Sequence, residues 1–285
     1  MDNRRVIGKI LLNGNWAVQS KHFKTHLPLG RPEIIAEFLD HWQVDEILLI
    51  DRLASREGRT IDPDIVSRVV EVCRTPLTVG GGIKTVRHAK TLVKNGADRV
   101  CINSSAYQDP QVIQSLSDVL GSQAVVAHGD FIYQGSQPVL FDHINARATD
   151  VNIDDFAVNM VANGAGEIIL HSVERDGTKT GYDESLYRNI GEIVGVPLIA
   201  SGGYGVPSHA SDVLATGVSG IAIGNQLHFN EHSVSVIKTA INDASIRATS
   251  LGYSADQVDA SGRLIKSNEE YLDQLRFKKR EGRWL

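Results

Sequence analysis

The sequence predicts an α/β protein built as one (β/α)8 barrel, a TIM barrel with a two-fold half-barrel repeat. Short runs rich in β-branched residues alternate with amphipathic stretches along most of the chain, which is typical of parallel strands joined by helices. Residues 76–82 (PLTVGGG) reappear without gaps, 121 positions later, as residues 197–203 (PLIASGG). No Pro-, Gly- or Ser-rich linker divides the 285 residues, and such barrels commonly run to about 250 residues as one domain. We therefore expect a barrel over residues 1–243 and a polar C-terminal extension over residues 244–285.

The alternation predicts eight strands and eight helices. The strands are expected at residues 6–12, 46–51, 77–79, 99–102, 124–128, 168–171, 198–200 and 220–223. The helices are expected at residues 32–42, 62–73, 85–95, 110–120, 153–163, 184–194, 207–216 and 233–242. Between residues 130 and 153 there is no good helical pattern, so residues 131–133 and 139–141 are expected to pair as a small hairpin over the barrel mouth.

Composition excludes several classes of function. A net charge of -5 and a pI near 6.1 give no basic field for nucleic acid, and no apolar run of 18 residues or cleavable signal indicates a membrane. We expect a cytoplasmic protein. Cys73 and Cys101 have no CxxC spacing and lie in apolar segments, while the ten histidines form no ligand-spaced pair. The sequence therefore predicts no disulfide, no metal and no cofactor.

Glycine clusters at strand ends predict two anion sites. In these barrels the chemistry lies at the carboxyl ends of the strands, where glycines let backbone N–H groups approach a phosphate. The two predicted sites comprise Gly81, Gly82, Asn103 and Ser104, and Gly202, Gly203, Gly224 and Asn225. Glycines also serve tight turns, but the symmetric arrangement favours a long substrate with a phosphate at each end. Asp176 and Thr178 follow the sixth strand and could bind a sugar or the second phosphate, or form an ordinary Asp-Gly turn.

Several segments resemble a known family. They are LTVGGGI (77–83), INS (102–104), GSQ (121–123), GAGEI (164–168), RDGTKTGYD (175–183) and IASGG (199–203). Over roughly residues 4–243 the chain resembles HisF, the cyclase subunit of imidazole glycerol phosphate synthase. The resemblance implies a barrel that conducts ammonia along its axis, from a separate glutaminase to a substrate with phosphates at both ends.

The resemblance also shows where this chain departs from the family. Asp130 falls on the second of the family's two catalytic aspartates, but Leu11 replaces the first, and the family's mobile-loop lysine falls on Gln19, with Lys21 nearby. Ring closure needs one group that donates a proton and one that accepts it, and leucine can do neither. We therefore expect an altered reaction, with Asp130 and Asp176 as the catalytic carboxylates. His128 is either an acid or base or an ordinary lining residue.

At the opposite end of the barrel the resemblance is retained. Arg5, Glu46, Arg99 and Glu167 fall on the family's charged ring, which implies an ammonia gate. Asp98 and Gln123 match positions that face the glutaminase. Neither cysteine lies at a strand-to-helix elbow with a paired histidine, so the glutaminase is expected to be a separate, HisH-type protein in a heterodimer.

The leading hypothesis is a divergent HisF-like subunit that delivers ammonia to a phosphorylated or nucleotide-sugar acceptor. Leucine at the first aspartate position resembles a branch associated with acetamidino sugars of bacterial surface polysaccharides, in which a third, amidotransferase protein takes part. Three alternatives stay open: an active imidazole glycerol phosphate synthase subunit, a catalytically silent binding or regulatory subunit, and a phosphosugar isomerase. The sequence leaves the acceptor unidentified.

Overall fold

A computed structural model describes residues 4–265. The strands are β1 Arg5–Asn13, β2 Trp16–Lys21, β3 Thr25–Gly30, β4 Glu46–Asp51, β5 Leu77–Gly80, β6 Arg99–Ile102, β7 Val125–Gln134, β8 Gln137–Asp142, β9 Arg147–Asn152, β10 Glu167–Ser172, β11 Leu198–Ser201 and β12 Gly220–Ile223. The helices are α1 Pro32–His41, α2 Pro63–Val72, α3 Val86–Lys94, α4 Ser104–Gln108, α5 Gln111–Leu120, α6 Ile153–Ala162, α7 Glu184–Ile193, α8 Pro207–Leu214 and α9 Ser233–Ile241.

Eight parallel strands close into a barrel in the order β1, β4, β5, β6, β7, β10, β11, β12, and β12 pairs again with β1. The predicted (β/α)8 barrel is confirmed. All eight predicted strands and all eight predicted helices are present, with bounds that differ by at most a few residues, apart from β7. This strand continues past the barrel rim, so that Phe131 pairs with Leu140 and Ile132 with Val139 in the predicted hairpin.

The sequence did not predict four further elements, β2, β3, β9 and α4. Strands β2 and β3 form an antiparallel hairpin directly after β1, and β9 adds a third strand beside β8. The short helix α4 follows β6. These elements lie outside the regular alternation of strand and helix in the barrel. The sequence pattern that predicts the barrel therefore does not predict them.

Four helices begin at short polar side chains. Asp62, Thr85, Asn152 and Asp183 each accept a hydrogen bond from a backbone N–H in the first turn of α2, α3, α6 and α7. Such a cap satisfies an N–H that has no partner within the helix, typically stabilising it by about 1 kcal/mol. The helices therefore start at defined points after the loops that form the barrel mouth.

The repeat seen in the sequence is also a repeat of strand register. Ile47 pairs with Leu77 in the first half, and Ile168 pairs with Leu198, each 121 positions later, in the second. The glycines that follow these strands, Gly81 and Gly202, are also 121 positions apart and have equivalent surroundings. A Cβ on Gly81 would lie 2.8 Å from the Asp51 carbonyl oxygen, and one on Gly202 would lie 2.7 Å from that of Ser172. Both glycines have positive φ, so close packing requires them in each half whether or not a ligand binds.

Side chains inside the barrel form layers, because alternate residues of each strand point inward. Near the amino-terminal ends lies a charged layer formed by Arg5, Glu46, Arg99 and Glu167. The next layer is apolar and consists of Ile7, Leu48, Cys101, Val126, Ile169, Ile199 and Ala222. Two residues further along their strands come Lys9, His128, His171 and Ser201, which are all buried. The axis therefore runs from charged, through apolar, to polar surroundings.

The described part of the C-terminal extension, residues 244–265, packs on the outside of the barrel. Arg4 N–H donates to the Ser245 carbonyl at 3.0 Å, and Arg247 Nε lies 3.0 Å from Asp45 Oδ1. The rest of the predicted extension, residues 266–285, lies outside the described residues. None of the helices within residues 4–265 is long and apolar enough to cross a membrane.

Candidate functional site

The amino-terminal end of the barrel carries a ring of four charged side chains, Arg5, Glu46, Arg99 and Glu167. Arg5 donates to Glu46 at 2.6 Å and also to Glu167. Arg99 donates to Glu167 at 2.9 Å and to Glu46 at 3.3 Å. Burial and the neighbouring charge of Glu167 raise the pKa of Glu46 above its ordinary value, against the effect of the two guanidinium groups. Two cations and two anions balance, so the ring is neutral as a whole.

At the opposite end the barrel opens into a cavity of about 600 Å³. The cavity reaches from the floor residues Lys9 and Leu11 to the first predicted glycine cluster, Gly81 and Gly82. Basic residues outnumber acidic ones in its lining. The basic ones are Lys9, Lys24, Arg52, Arg56 and Lys84, and the acidic ones are Asp51, Asp130 and Glu174. Asp51 is moreover paired with Arg59 at 2.5 Å, which leaves a positive excess suited to an anionic ligand.

Asp130 lies on the cavity floor between two histidines. His128 Nε2 is 3.5 Å from Asp130 Oδ1, and His143 Nδ1 is 3.6 Å from Oδ2, which also accepts a hydrogen bond from Asn103 at 2.7 Å. Burial alone would raise the pKa of Asp130, but the adjacent imidazoles hold that pKa below its usual range. Burial lowers the pKa of His128 to about 3, despite the nearby carboxylate. At neutral pH the floor therefore holds an ionised carboxylate beside a neutral imidazole. Both groups are unprotonated, but their lowered pKa values make them weak bases.

A second polar cluster joins Lys9, His171 and Asp176. Lys9 Nζ lies 3.3 Å from His171 Nδ1, which also contacts Ser201 Oγ at 2.8 Å. His171 Nε2 faces Asp176 Oδ1 at 3.4 Å. With the proton on Nε2, His171 can donate to Asp176, and its Nδ1 can accept from Ser201, which is nearer than Lys9. Burial would raise the pKa of Asp176, but the hydrogen bond from His171 and the positive charge of Lys9 hold that pKa well below its usual value.

Asp176 is already engaged by the chain itself. Its Oδ2 accepts hydrogen bonds from Ser20 Oγ at 2.6 Å and from Phe23 N–H at 3.3 Å. The Phe23 ring stacks on His171, with ring centroids 5.3 Å apart. These contacts place the β2–β3 hairpin over this half of the mouth. The nearby Thr178 hydroxyl bonds to the Arg175 carbonyl at 2.9 Å and contacts Thr180 at 2.8 Å, so it serves its own turn.

The two predicted phosphate sites differ in the structure. The first, at Gly81 and Gly82, borders the large cavity together with Asn103 and Ser104. The second, at Gly202, Gly203, Gly224 and Asn225, borders a cavity of only about 50 Å³.

Two histidines and a lysine complete the mouth, although the sequence did not assign them to it. Lys9 and His171 occupy inward-facing strand positions, a signal that the register could have supplied once the strands were placed. His143 comes from the turn after β8, and its Nε2 lies 3.4 Å from Ser104 Oγ. Its approach to Asp130 depends on how the hairpin folds back over the mouth, so no local sequence pattern predicts it.

Asp98 and Gln123 are exposed and lie at the amino-terminal end of the barrel, beside the charged ring. Asp98 Oδ2 accepts a hydrogen bond from Leu77 N–H at 2.8 Å, and the Gln123 carbonyl accepts one from Arg99 Nε at 3.0 Å. Both residues therefore have a local structural role as well as a free surface.

Comparison with known proteins assigns the family. A family model described as "Histidine biosynthesis protein" matches residues 5–233. A protein of Vibrio vulnificus, provisionally named imidazole glycerol phosphate synthase subunit hisF2, is 39% identical over 243 residues, which cover 85% of this chain and 89% of that protein. The chain belongs to the HisF family. Imidazole glycerol phosphate synthase subunit HisF of Exiguobacterium sibiricum is 39% identical over 79% of this chain and 90% of its own length. HisF of Pyrococcus furiosus is 34% identical over 82% and 94%.

The resemblance to HisF predicts that Leu11 stands where the family has an aspartate. Leu11 lines the mouth on β1 and is adjacent in the sheet to Ile50, while Asp130 on β7 is adjacent to His171. This chain therefore has one carboxylate where the family resemblance implies two. Lys9 and His128, two residues earlier on the same strands, add polar groups beneath these positions.

Proposed function

We propose that this HisF-family chain is the ammonia-accepting subunit of a glutamine-dependent complex. It pairs with a separate HisH-type glutaminase and conducts ammonia along the barrel to a phosphorylated or nucleotide-sugar acceptor. The acceptor belongs to acetamidino-sugar synthesis for a surface polysaccharide, with a third amidotransferase protein as a further partner. The observation that carries the proposal is the axial layering: a neutral Arg/Glu ring, an apolar layer and a polar mouth with a single family carboxylate, Asp130.

Each layer has a chemical role in the proposal. Ammonia is a neutral molecule that protonates readily in water, so an apolar layer favours passage of the neutral, nucleophilic form. The Arg5/Glu46/Arg99/Glu167 ring closes the entrance and must part for ammonia to enter. At the exit, addition of ammonia to an electrophilic carbon leaves a cationic amine that has to lose a proton. In the proposal, Asp130 and the neutral His128, which are unprotonated at neutral pH, relay that proton to water.

The decisive experiment uses the full chain co-expressed with its cognate glutaminase. Glutamine labelled with 15N in its amide group is supplied with candidate phosphorylated sugars and nucleotide sugars, and glutamine hydrolysis and 15N transfer are followed together. We expect the chain to stimulate hydrolysis and Asp130→Asn to abolish transfer while complex formation persists. A glutaminase that is neither bound nor stimulated by the chain contradicts the proposal.

The second candidate function is that of a true imidazole glycerol phosphate synthase subunit. The names of the relatives from Exiguobacterium sibiricum and Pyrococcus furiosus favour it. It requires that Asp130 suffice alone or that His128 supply the missing proton transfer. Complementation of a histidine auxotroph separates the two functions.

A further inference from the structure

The two glycine clusters are equivalent in sequence and register but unequal in shape and charge. The cavity at the first cluster measures about 600 Å³, and the cavity at the second measures about 50 Å³. The second cavity is thus far more constricted than the first, so the two clusters leave different amounts of room for a ligand. The repeat alone therefore does not determine where an anion binds.

The chain's own strand β2 lies against the second cluster and is hydrogen-bonded to it. Asn225 Oδ1 accepts a hydrogen bond from Ser20 N–H at 3.1 Å, and Asn225 Nδ2 donates to the Ser20 carbonyl at 2.6 Å. The Ser20 carbonyl oxygen also lies against Gly177, 2.5 Å from where a Cβ would be, so a larger residue there would collide with β2. Two side-chain hydrogen bonds and this close backbone contact form a latch between Ser20 and Asn225.

The repeat explains why only one half has the latch. Asn225 is the counterpart of Ser104, 121 positions earlier. The serine is too short to bridge two backbone groups as the asparagine does. Its hydroxyl instead borders the large cavity, 3.4 Å from His143 Nε2.

Charge favours the first cluster as well. The large cavity includes Arg52, Arg56 and Lys84 in its lining. The small cavity includes Asp176, whose low pKa keeps it ionised, and His228, whose pKa burial lowers to about 4. Lys9, at the boundary, borders both cavities. An anion in the small cavity would meet the Asp176 carboxylate with Lys9 as the single lysine or arginine of the lining, while Lys21 and Lys179 line a separate cavity of about 170 Å³ that also borders Asn225.

We propose that the acceptor is held by phosphate at one end only. The phosphate or diphosphate of a sugar phosphate or nucleotide sugar lies at the first cluster, formed by Gly81, Gly82 and Ser104. The other end of the acceptor is uncharged and reaches the floor at Lys9 and Asp130, while the Ser20–Asn225 latch excludes a second phosphate. The existence of a phosphorylated acceptor rests on the proposed function; the added inference is that its phosphate end alone is anchored by a glycine cluster.

The test uses the full-length chain and inorganic phosphate as the probe. Crystals soaked in phosphate give the occupancy of each cluster, and calorimetric titration gives the affinity. We expect wild-type protein to hold phosphate at the first cluster alone. Ser104→Ala should weaken binding about tenfold, because a hydrogen bond to a charged ligand is lost. Asn225→Ser, which installs the residue of the first half, should admit phosphate at the second cluster.

A matched control separates the latch from loss of side-chain volume. Gln226 borders the same small cavity but takes no part in the latch, so Gln226→Ser should leave the second cluster free of phosphate. Phosphate at the second cluster of the wild-type protein, or its continued absence in Asn225→Ser, overturns the proposal. Absence of phosphate from both clusters does so too, whereas the proposed partnership is judged separately by stimulation of the glutaminase.

Discussion

Leu11 and Asp130 occupy equivalent register positions in the two halves of the barrel. Leu11 on β1 is adjacent to Ile50 on β4, and Asp130 on β7 is adjacent to His171 on β10, which is the residue 121 positions after Ile50. The same pairing makes Lys9 the counterpart of His128. The first half of the mouth therefore presents leucine and lysine where the second presents aspartate and histidine.

This asymmetry predicts that the chain cannot replace the cyclase of histidine synthesis. A reaction that needs one carboxyl group to donate a proton and another to accept it loses several orders of magnitude in rate when one is absent, because the groups act as a unit. We expect no growth of a histidine auxotroph that carries the chain with its glutaminase. Growth without histidine at ordinary expression refutes the divergent function. Leu11→Asp tests whether the remaining site is competent, and any gain of cyclase turnover in that variant locates the defect at position 11.

The barrel itself could be predicted from the sequence because its signals are local and repeated. The eight buried runs each mark a strand, and the duplicated glycine clusters mark where some of these strands end. The number and order of the strands then predict that the sheet closes into a barrel. The mouth could be predicted only in part. Asp130 lies in a recognisable segment, but the contact of His143 with the floor and the latch of Ser20 on Asn225 join residues far apart in the chain. Such contacts depend on how the β2–β3 and β8–β9 segments fold back over the mouth, and the spacing of apolar residues in the sequence does not predict this.

The charged ring should contribute to stability as well as to the entrance. Arg5→Met removes the guanidinium that binds both Glu46 and Glu167, and leaves two buried carboxylates with Arg99 alone. Uncompensated burial of charge typically costs about 3–5 kcal/mol, and the partial exposure of Arg5 together with the remaining Arg99 reduces the expected cost to roughly 2–3 kcal/mol. Urea unfolding at pH 7.5 measures the loss. Arg4→Met, which breaks a more exposed pair with Asp243, is the control and should cost less than about 1 kcal/mol.

The same variant has a characteristic pH dependence. Burial and the charge of Glu167 already raise the pKa of Glu46, and loss of Arg5 should raise it further. A carboxyl group with a raised pKa binds more protons in the folded than in the unfolded state, so its folded state gains stability as the pH falls. The penalty of Arg5→Met should therefore be smaller at pH 5 than at pH 7.5. A penalty that is equal at both pH values shows that the ring carboxylates are not what the arginine stabilises.

Burial of the neutral His128 predicts a loss of stability in mild acid. The pKa of His128 is lowered from 6.5 to about 3. Between pH 6.5 and pH 3, His128 is therefore protonated in the unfolded chain but neutral in the folded protein. The stability that neutral His128 contributes is complete above pH 6.5 and declines as the pH falls towards 3. The slope of the free energy of unfolding is at most about 1.4 kcal/mol per pH unit for one such group. Urea unfolding from pH 7.5 to 5 measures this slope. His128→Gln should make the free energy of unfolding less dependent on pH than in the wild type. Burial of His228, whose pKa is also lowered, should account for part of the pH dependence that remains.

The partner surface can be tested by changing charge and hydrogen bonding separately at Asp98. We expect the glutaminase to dock on the amino-terminal end of the barrel, where the neutral ring leaves Asp98 as an exposed anion for a lysine or arginine of the partner. Asp98→Asn keeps an oxygen that can accept the hydrogen bond from Leu77 N–H but removes the charge. Asp98→Lys removes both and places like charges across the interface, so it should weaken the complex by roughly 1–3 kcal/mol, and Asp98→Asn by less.

Binding of the cognate glutaminase, followed by calorimetry or size-exclusion chromatography, checks this order of effects. Asp130→Asn at the opposite end of the barrel is the control and should leave affinity unchanged. Because loss of the hydrogen bond to Leu77 could itself disturb the barrel, urea unfolding of the isolated Asp98→Lys chain measures that contribution separately. If Asp98→Lys binds as tightly as wild type while Asp130→Asn does not bind, the glutaminase docks at the mouth of the barrel. The ring would then close the end of the axis that lies away from the source of ammonia, and its role would be structural.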